Sequence, residues 1–147
     1  MKIAIGYDPN AADMIPMIKS LCEEMGHEAF IYGGFDPVYA NTAFAVGEAV
    51  ASGKYDRGIL VCGTGLGMSI AANKVEGVYA ALLTDIYSAR RAILSNDSNV
   101  ACIGAFTTGE KLAEAPLREW LSLRYVSGTP SEVKVLRYKE YDRTRRA

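Results

Sequence analysis

Short, uninterrupted apolar runs alternate with amphipathic stretches along the chain, and this alternation narrows the possible folds more than any other feature. The apolar runs are residues 2–7, 28–32, 57–61, 78–83 and 99–103. Runs of this length that lack polar–apolar alternation are typical of strands buried on both faces of a parallel sheet. We therefore predict five strands of that kind.

The amphipathic stretches predict helices at residues 11–25, 36–51, 66–73, 86–94, 109–123 and 131–142. The first of them places apolar side chains at helical spacing, namely Met14, Met17, Ile18, Leu21 and Met25. Strand and helix alternate five times, which together with the right-handed crossover rule predicts a three-layer α/β fold with a doubly wound, Rossmann-like parallel sheet. The chain has 147 residues without a linker or repeat, so we predict one domain, 1–147, with an additional C-terminal helix.

The composition excludes several classes of partner. The net charge is −1 and the basic residues are spread along the chain, whereas a nucleic-acid surface needs a clustered basic patch. No apolar run approaches the roughly 20 residues that span a bilayer. The first residues read as a strand and not as a signal peptide, so we expect a cytoplasmic protein without nucleic-acid or membrane partners.

The chain has three cysteines, Cys22, Cys62 and Cys102, and one histidine, His27. Three scattered cysteines build no disulfide framework and show no metal-ligand spacing, which predicts free thiols in a reducing compartment. One histidine is too few for a histidine-based metal cage. We therefore predict no metal site.

Ligands of parallel α/β sheets bind beyond the carboxyl ends of the strands, where this chain places Asp8, Gly33, Thr84, Gly104 and the loop 62–67. The loop reads Cys-Gly-Thr-Gly-Leu-Gly. Its glycines let the backbone approach a ligand, and the start of the following helix offers unpaired N–H groups to an oxyanion or a phosphate. The spacing fits neither the dinucleotide fingerprint G-x-G-x-x-G nor a Walker loop.

Cys62 has two interpretations from its position alone. A thiol at a strand end beside a helix start lies in positive potential, which favours the thiolate and suits a nucleophile or a general base. The second interpretation is that Cys62 is a small, buried and unreactive apolar residue, which is the usual state of a free cysteine. Cys22 and Cys102 lie in an apolar helix face and a strand, so we predict them in the core. His27 follows a helix end, which predicts a surface or capping role.

The stretch 57-RGILVCGTGLGMSIAANKVEGVYAALLTDIYSARRA-92, followed by 96-NDSNV-100, resembles the ribose-5-phosphate isomerase B / galactose-6-phosphate isomerase family. The N-terminal MKIAIGYD and the segment 26–28 fit the same family. The resemblance covers about residues 1–123. It implies a Rossmann-like fold, homodimers or tetramers with active sites shared between subunits, and isomerisation through a cis-enediolate without metal or cofactor. We expect the helix at about 131–142 to pack on a partner subunit.

The resemblance also implies roles for individual residues. Cys62 falls on the family's general base. Thr64 and the amides of Gly63, Gly65 and Gly67 fall where the developing enediolate oxygen is held, an arrangement that needs no reorganisation during the reaction. Asp8 matches an acidic residue that contacts sugar hydroxyls, and Asn96 matches an asparagine that binds the substrate.

The chain departs from the family at four places, and three of them concern ring opening and phosphate binding. The family's Asp-His after the first strand is Asp8-Pro9 here, and its His-Asn-Asp at the ring-opening position is Ser95-Asn96-Asp97. Its Gly-Gly-Arg-His segment corresponds to residues 127–130, Ser-Gly-Thr-Pro, and Val133 stands where a second arginine belongs. Serine has no pKa suited to proton transfer. Lys134 or Arg137 are candidates for a replacement anion clamp.

We therefore expect an aldose–ketose isomerase acting on a small sugar or sugar phosphate that differs from ribose 5-phosphate. An open-chain tetrose 4-phosphate would need no ring-opening acid, and an unphosphorylated sugar or an unsaturated uronate would need no arginine clamp. One alternative is a partner-dependent or non-catalytic subunit of a heteromeric isomerase. Another is a sugar-binding module without turnover. A thiol redox or acyl-transfer enzyme has less support, because no second cysteine or histidine lies at useful spacing.

Overall fold

The computed structural model describes residues 1–145 and shows a five-stranded, all-parallel sheet with helices on both faces, so the predicted fold class is confirmed. The strands are β1 (Lys2–Tyr7), β2 (Glu28–Gly33), β3 (Arg57–Cys62), β4 (Ala80–Leu82) and β5 (Val100–Gly104). The helices are α1 (Ile15–Glu24), α2 (Tyr39–Ala51), α3 (Leu66–Ala72), α4 (Ile86–Leu94), α5 (Glu110–Ser122) and α6 (Glu132–Thr144). Within the described residues, no helix is long and apolar enough to cross a membrane.

The central strand β3 separates two hydrophobic cores. Ile59 and Val61 point into one core with Trp120, where α1, α4 and α5 pack. Leu60 and Cys62 point into the other core, where α2 and α3 pack. All six residues of β3 are buried, because both faces of the strand are covered by helices. This double coverage explains the lack of polar alternation in the sequence.

The strand order is β2-β1-β3-β5-β4, so the connection from β3 to β4 passes over the position that β5 fills. As a result β1, β3 and β5 are neighbours at the centre. Tyr7 pairs with Val61, and Cys62 pairs with Gly104, which brings the carboxyl ends of these strands side by side. The residues that follow them therefore share one edge of the sheet, here called the carboxyl edge.

Some predicted boundaries are wrong by a few residues. Helix α2 begins at Tyr39 and not at Asp36, because the Asp36 carboxylate accepts a hydrogen bond from the Val38 N–H at 2.7 Å and holds a turn before the helix. The predicted helix 11–25 starts with a 3-10 turn, Pro9–Met14, that Asp8 caps. Edge strand β4 is three residues long, since only β5 pairs with it.

Helix α6 lies at the opposite edge of the sheet, here called the amino edge. Its Asp142 carboxylate accepts a hydrogen bond from the Gly77 N–H, just before β4, at 2.8 Å. Only Val135 and Asp142 of this helix are buried. The apolar side chains of Val133 and Leu136 are exposed. That α6 packs on a partner subunit remains a prediction.

Candidate active site

Cys62 is the last residue of β3, and its side chain is 6% exposed. The Gly65 N–H donates a hydrogen bond to its sulfur at 3.0 Å. This hydrogen bond holds the sulfur against the start of the glycine loop. The structure thus places the thiol at the carboxyl edge, at the junction of the central strand and the glycine loop.

The loop geometry requires glycine at position 65. The backbone of Gly65 is left-handed, with φ at +75°. A Cβ atom on this residue would lie 2.5 Å from Leu82 Cδ1 and 2.9 Å from the carbonyl carbon of Ile103. Both the backbone conformation and the available space therefore exclude a side chain. The family resemblance placed the Gly65 N–H among the donors to the enediolate oxygen. In this structure the same N–H already donates to Cys62 Sγ.

Four other N–H groups at the turn into α3 donate to no acceptor within residues 1–145: those of Gly63, Thr64, Gly67 and Met68. Orphan donors of this kind occur at the start of every helix and suit an oxyanion. The Thr64 hydroxyl accepts from the Leu66 N–H at 3.3 Å and is itself exposed at the loop surface. The loop therefore presents a set of unused donors beside the Cys62 thiol.

Asp8 lies next to this loop, as predicted from its place after β1. Its N–H donates to the Val61 carbonyl at 2.8 Å, which fixes it beside the end of β3. Its carboxylate accepts from the Asn10 N–H at 2.8 Å and caps the 3-10 turn. The half-buried carboxylate is thus held in place at the carboxyl edge.

Two aromatic residues that the sequence did not indicate lie against the loop. A Cβ atom on Gly67 would lie 2.2 Å from the Tyr39 hydroxyl oxygen, and one on Gly63 would lie 2.8 Å from Phe106 Cδ2. Phe106 is 74% exposed. Neither residue belongs to a motif, and both reach the loop only because α2 and the end of β5 pack beside β3.

Asn96 does not join Cys62 within one chain. It lies in the turn between α4 and β5, at the amino edge, where the neighbouring Asn99 carbonyl accepts from the Gly58 N–H at 3.0 Å. From Gly58 to Cys62 the strand extends about 13 Å, at roughly 3.3 Å per residue. The Asn96 side chain amide donates to the Arg91 carbonyl at 2.9 Å. The adjacent Ser95 hydroxyl is buried and has no partner within the described residues.

Lys134 and Arg137 also lie at the amino edge, on the exposed surface of α6. With Val133, Tyr138 and Tyr141 they line an open groove of about 540 Å³. Arg137 makes an exposed ion pair with Glu140 at 3.1 Å. The candidate anion clamp is therefore on the same side of the chain as Asn96 and not beside the Cys62 loop.

The remaining cysteines, Cys22 and Cys102, and the histidine His27 lie outside the Cys62 loop. Cys22 and Cys102 are core residues, as predicted, and burial raises the pKa of the Cys22 thiol to about 11. Burial also raises the pKa of Cys102, with the charge of Cys62 as a second cause. His27 Nδ1 lies 3.4 Å from the N-terminal ammonium group. Burial, that positive charge and the guanidinium groups of nearby arginines lower the His27 pKa.

Comparison with known proteins decides the family. A family model described as Ribose/Galactose Isomerase matches residues 3–137. The chain belongs to this family. D-erythrulose-4-phosphate isomerase 2 of Mycolicibacterium smegmatis is 47% identical over 136 residues, covering 91% of this chain and 84% of the relative. Ribose-5-P isomerase B of Listeria innocua is 40% identical over 149 residues, covering 99% of this chain and 100% of the relative.

The fold agrees with that assignment. The solved structure of Clostridium thermocellum ribose-5-phosphate isomerase B superposes with a TM-score of 0.91 at 36% identity, covering 99% of both chains. The predicted resemblance is thereby confirmed. The chain is a sugar-phosphate isomerase of the ribose/galactose isomerase family. Some of its relatives are named for a four-carbon sugar phosphate and others for a five-carbon one.

Proposed function

We propose that this isomerase interconverts a tetrulose 4-phosphate and the corresponding tetrose 4-phosphate through a cis-enediolate, with Cys62 as the general base. The observation that carries the substrate class is Ser95 at the position where the family has its ring-opening histidine. A four-carbon sugar phosphate has no furanose ring to open, because its O4 is esterified. The name of the Mycolicibacterium relative, a D-erythrulose-4-phosphate isomerase, supports the same class.

The geometry around Cys62 supports the following proton transfer. The thiolate removes a proton from C1 of the ketose, and the electron pair moves through the C1–C2 bond onto O2. The unused N–H groups of Gly63, Thr64 and Gly67 stabilise the negative oxygen. The thiol then returns the proton to C2, while O1 loses its proton and O2 gains one, which gives the aldose. Asp8 binds the sugar hydroxyls.

A second copy of the chain would complete the site. Cys62 lies at the carboxyl edge, whereas Asn96, Lys134 and Arg137 lie at the amino edge of the same chain. We propose a homodimer or tetramer in which the amino edge of one subunit meets the carboxyl edge of its partner. Lys134 and Arg137 would then bind the substrate phosphate, replacing the missing arginines. Exposed apolar side chains occur at both places, Leu66 and Ile70 on α3 and Val133 and Leu136 on α6.

The three free cysteines suit a reducing compartment, and we propose the cytoplasm as the place of action. All three lie buried, and none is bonded to another. A thiolate base also needs protection from oxidation, because thiolate character and exposure govern susceptibility. The proposed chemistry and the proposed location are therefore consistent with each other.

A substrate screen tests this proposal. Purified protein is assayed with D-erythrulose 4-phosphate, ribose 5-phosphate, galactose 6-phosphate and unphosphorylated erythrulose, with aldose and ketose resolved by NMR. We expect kcat/KM for erythrulose 4-phosphate to exceed that for ribose 5-phosphate by at least about a hundredfold, the order of one lost acid catalyst. Equal or higher kcat/KM with ribose 5-phosphate would contradict the proposed substrate class.

One alternative is favoured by the separation of Asn96 from Cys62. A site that one chain does not complete is also compatible with a subunit that acts only beside an unlike partner. Light scattering and the same screen on the purified homo-oligomer distinguish the two. Turnover by the homo-oligomer contradicts the heteromeric alternative. Inactivity toward every sugar, together with binding of erythrulose 4-phosphate in calorimetry, would favour it, or a binding module, over the isomerase proposed above.

A further inference from the structure

The turn that carries Asn96 has an unusual backbone. Asp97 has φ at +50° and is the one non-glycine residue with a positive φ in the described part of the chain. Helix α4 ends there with the Asp97 N–H donating to the Ile93 carbonyl at 3.0 Å and the Ser98 N–H donating to the Ala92 carbonyl at 2.9 Å. Non-glycine residues in this conformation persist where the surroundings hold them, and they cluster at functional sites.

Two consecutive residues of α6 hold this turn. The Tyr138 hydroxyl donates a short hydrogen bond to the Asn96 carbonyl. The Lys139 ammonium pairs with the Asp97 carboxylate at 2.5 Å, and both side chains are about two-thirds buried, with exposed fractions of 33% and 34%. The Tyr79 ring supports both, with its centroid 5.3 Å from that of Tyr138 and 5.4 Å from Lys139 Nζ.

The fixed backbone determines where the Asn96 side chain points. Its amide nitrogen donates to the Arg91 carbonyl at 2.9 Å, one turn back in α4. Its Oδ1 atom accepts from no group within residues 1–145 and is exposed, so it is available to a substrate hydroxyl. Tyr138 holds the Asn96 carbonyl and Lys139 holds the next carboxylate, so the backbone is fixed at the point from which the Asn96 side chain leaves it.

Other contacts attach α6 to the domain as well. Val135 is buried beneath the helix, and Asp142 accepts a hydrogen bond from the Gly77 N–H. Burial, followed by the charge of Asp97, raises the pKa of Tyr138 to about 12, so the phenol remains a donor at neutral pH. The turn is thus held by a neutral donor and an ion pair in addition to the attachment of the helix.

We propose that Tyr138 and Lys139 are positioning residues that orient Asn96 for the substrate. This inference rests on the proposed function, in which Asn96 contacts the sugar. The two residues touch no reacting atom. Their effect passes through Asn96, and this distinguishes them from residues that only stabilise the fold.

A double-mutant cycle with Asn96 tests the proposal, using D-erythrulose 4-phosphate as substrate. We expect Y138F and K139M each to lower kcat/KM by about tenfold or more, because small displacements of a substrate-binding group are costly. N96A is expected to lower it further. Because Tyr138 acts through Asn96, the double variant N96A/Y138F should have the same kcat/KM as N96A. K139R should restore most of the activity lost in K139M.

Matched control variants test whether the loss of a tyrosine hydroxyl or a lysine charge elsewhere in the chain has the same effect. Y55F removes a tyrosine hydroxyl from the loop before β3, outside the proposed site, and K19M breaks the exposed Lys19–Glu23 pair on α1. We expect both controls to retain wild-type kcat/KM. If Y138F lowers kcat/KM by the same factor in the N96A background as in wild type, the effect is structural and the proposal is overturned. Wild-type kcat/KM in both Y138F and K139M would overturn it as well.

An NMR measurement tests the positioning role without relying on enzymatic turnover. The side-chain amide signals of Asn96, assigned by their absence in N96A, report its hydrogen bond to the Arg91 carbonyl. We expect Y138F and K139M to shift or broaden these signals, whereas Y55F leaves them unchanged. Unshifted signals in both variants would overturn the positioning role. Shifted signals in a protein that isomerises no sugar would support positioning and would contradict the proposed function instead.

Discussion

The Cys62 loop and the Asn96 turn are held in place by different means. The loop is held by close packing at Gly65, which is so near Leu82 and Ile103 that no side chain fits. The Asn96 turn is held by polar contacts from α6, a helix with two buried residues among those described. A packed core tolerates few changes, whereas polar contacts at the surface are readily exchanged.

This contrast suggests how the family changes substrate. The proton-transfer half of the proposed site is built into the central strand, which also forms both hydrophobic cores. The half proposed to bind the rest of the sugar lies on a peripheral turn and on α6. A change of substrate can then be made largely at the periphery. The departures from the family at Ser95, Thr129 and Val133 lie in or beside that half, whereas the remaining one, Pro9, follows Asp8 at the carboxyl edge.

The largest expected effect comes from removing the thiol. C62A and C62S should each lower kcat by on the order of a thousandfold, the usual contribution of a general base, while the thermal midpoint stays near wild type. Steady-state kinetics with erythrulose 4-phosphate and thermal denaturation measure both. C22A is the matched control, since the Cys22 thiol is buried in the core on the other face of the sheet from Cys62. Full activity in C62A would remove Cys62 from the mechanism.

The second prediction compares two left-handed glycines. G65A should lower the free energy of unfolding by about 3 kcal/mol, with about 1 from the left-handed backbone and about 2 from the forced contacts. G53A has the same backbone strain but open space around the new Cβ, and should cost about 1 kcal/mol. Urea denaturation measures both. Equal losses would mean that the loop is not held by close packing.

The third prediction concerns the candidate clamp on α6. K134M/R137M should raise the KM for erythrulose 4-phosphate about tenfold, the order of one charge-assisted hydrogen bond, with a smaller change in kcat. Turnover of unphosphorylated erythrulose should be unaffected. The control K19M/R118M removes the same charge from exposed ion pairs elsewhere. A tenfold rise in KM in the control as well would indicate a general charge effect and no clamp.

The smallest effect belongs to His27, at the amino edge and outside both halves of the site. Its pKa is lowered in the folded protein, chiefly by burial, so the unfolded chain binds more protons below about pH 6.5. Stability should therefore fall as the pH decreases from about 7 toward 5, and H27Q should flatten this part of the profile. Denaturation midpoints across that range measure it. An identical slope in H27Q would assign the pH dependence to other groups.

Much of the fold was predictable because the sequence pattern records burial directly. The inner strands β1, β3 and β5 are apolar without alternation because helices cover both of their faces. Edge strand β2, which was predicted to be buried on both faces, is half-buried or exposed along its length, so the pattern was wrong about its burial. Local chemistry overrode the pattern at helix starts, where Asp36 holds a turn and delays α2 to Tyr39. Asp8 likewise caps a 3-10 turn in place of a regular helical start. Such hydrogen bonds depend on backbone geometry that periodicity does not record.

The residues around Cys62 were only partly predictable. Cys62 ends a strand, and Thr64 and Asp8 come just after strand ends. The rule that ligands bind at the carboxyl ends of parallel strands therefore located all three. Tyr39 and Phe106 have no such signal, because they reach the loop only through the packing of α2 and the placement of β5 beside β3. The strand order depends on which helix faces fit together, and many sequences with the same alternation fit other orders.

The sequence by itself determined the α/β class, the family and the placement of a thiol at the end of the central strand, because each depends on local pattern or motif. Only the tertiary structure decided that the Gly65 amide binds Cys62, and that Asn96, Lys134 and Arg137 lie at the opposite edge from it. The physical reason is that sequence pattern fixes which face of each element is buried. The neighbours that each element meets across the sheet are fixed by packing over the whole domain.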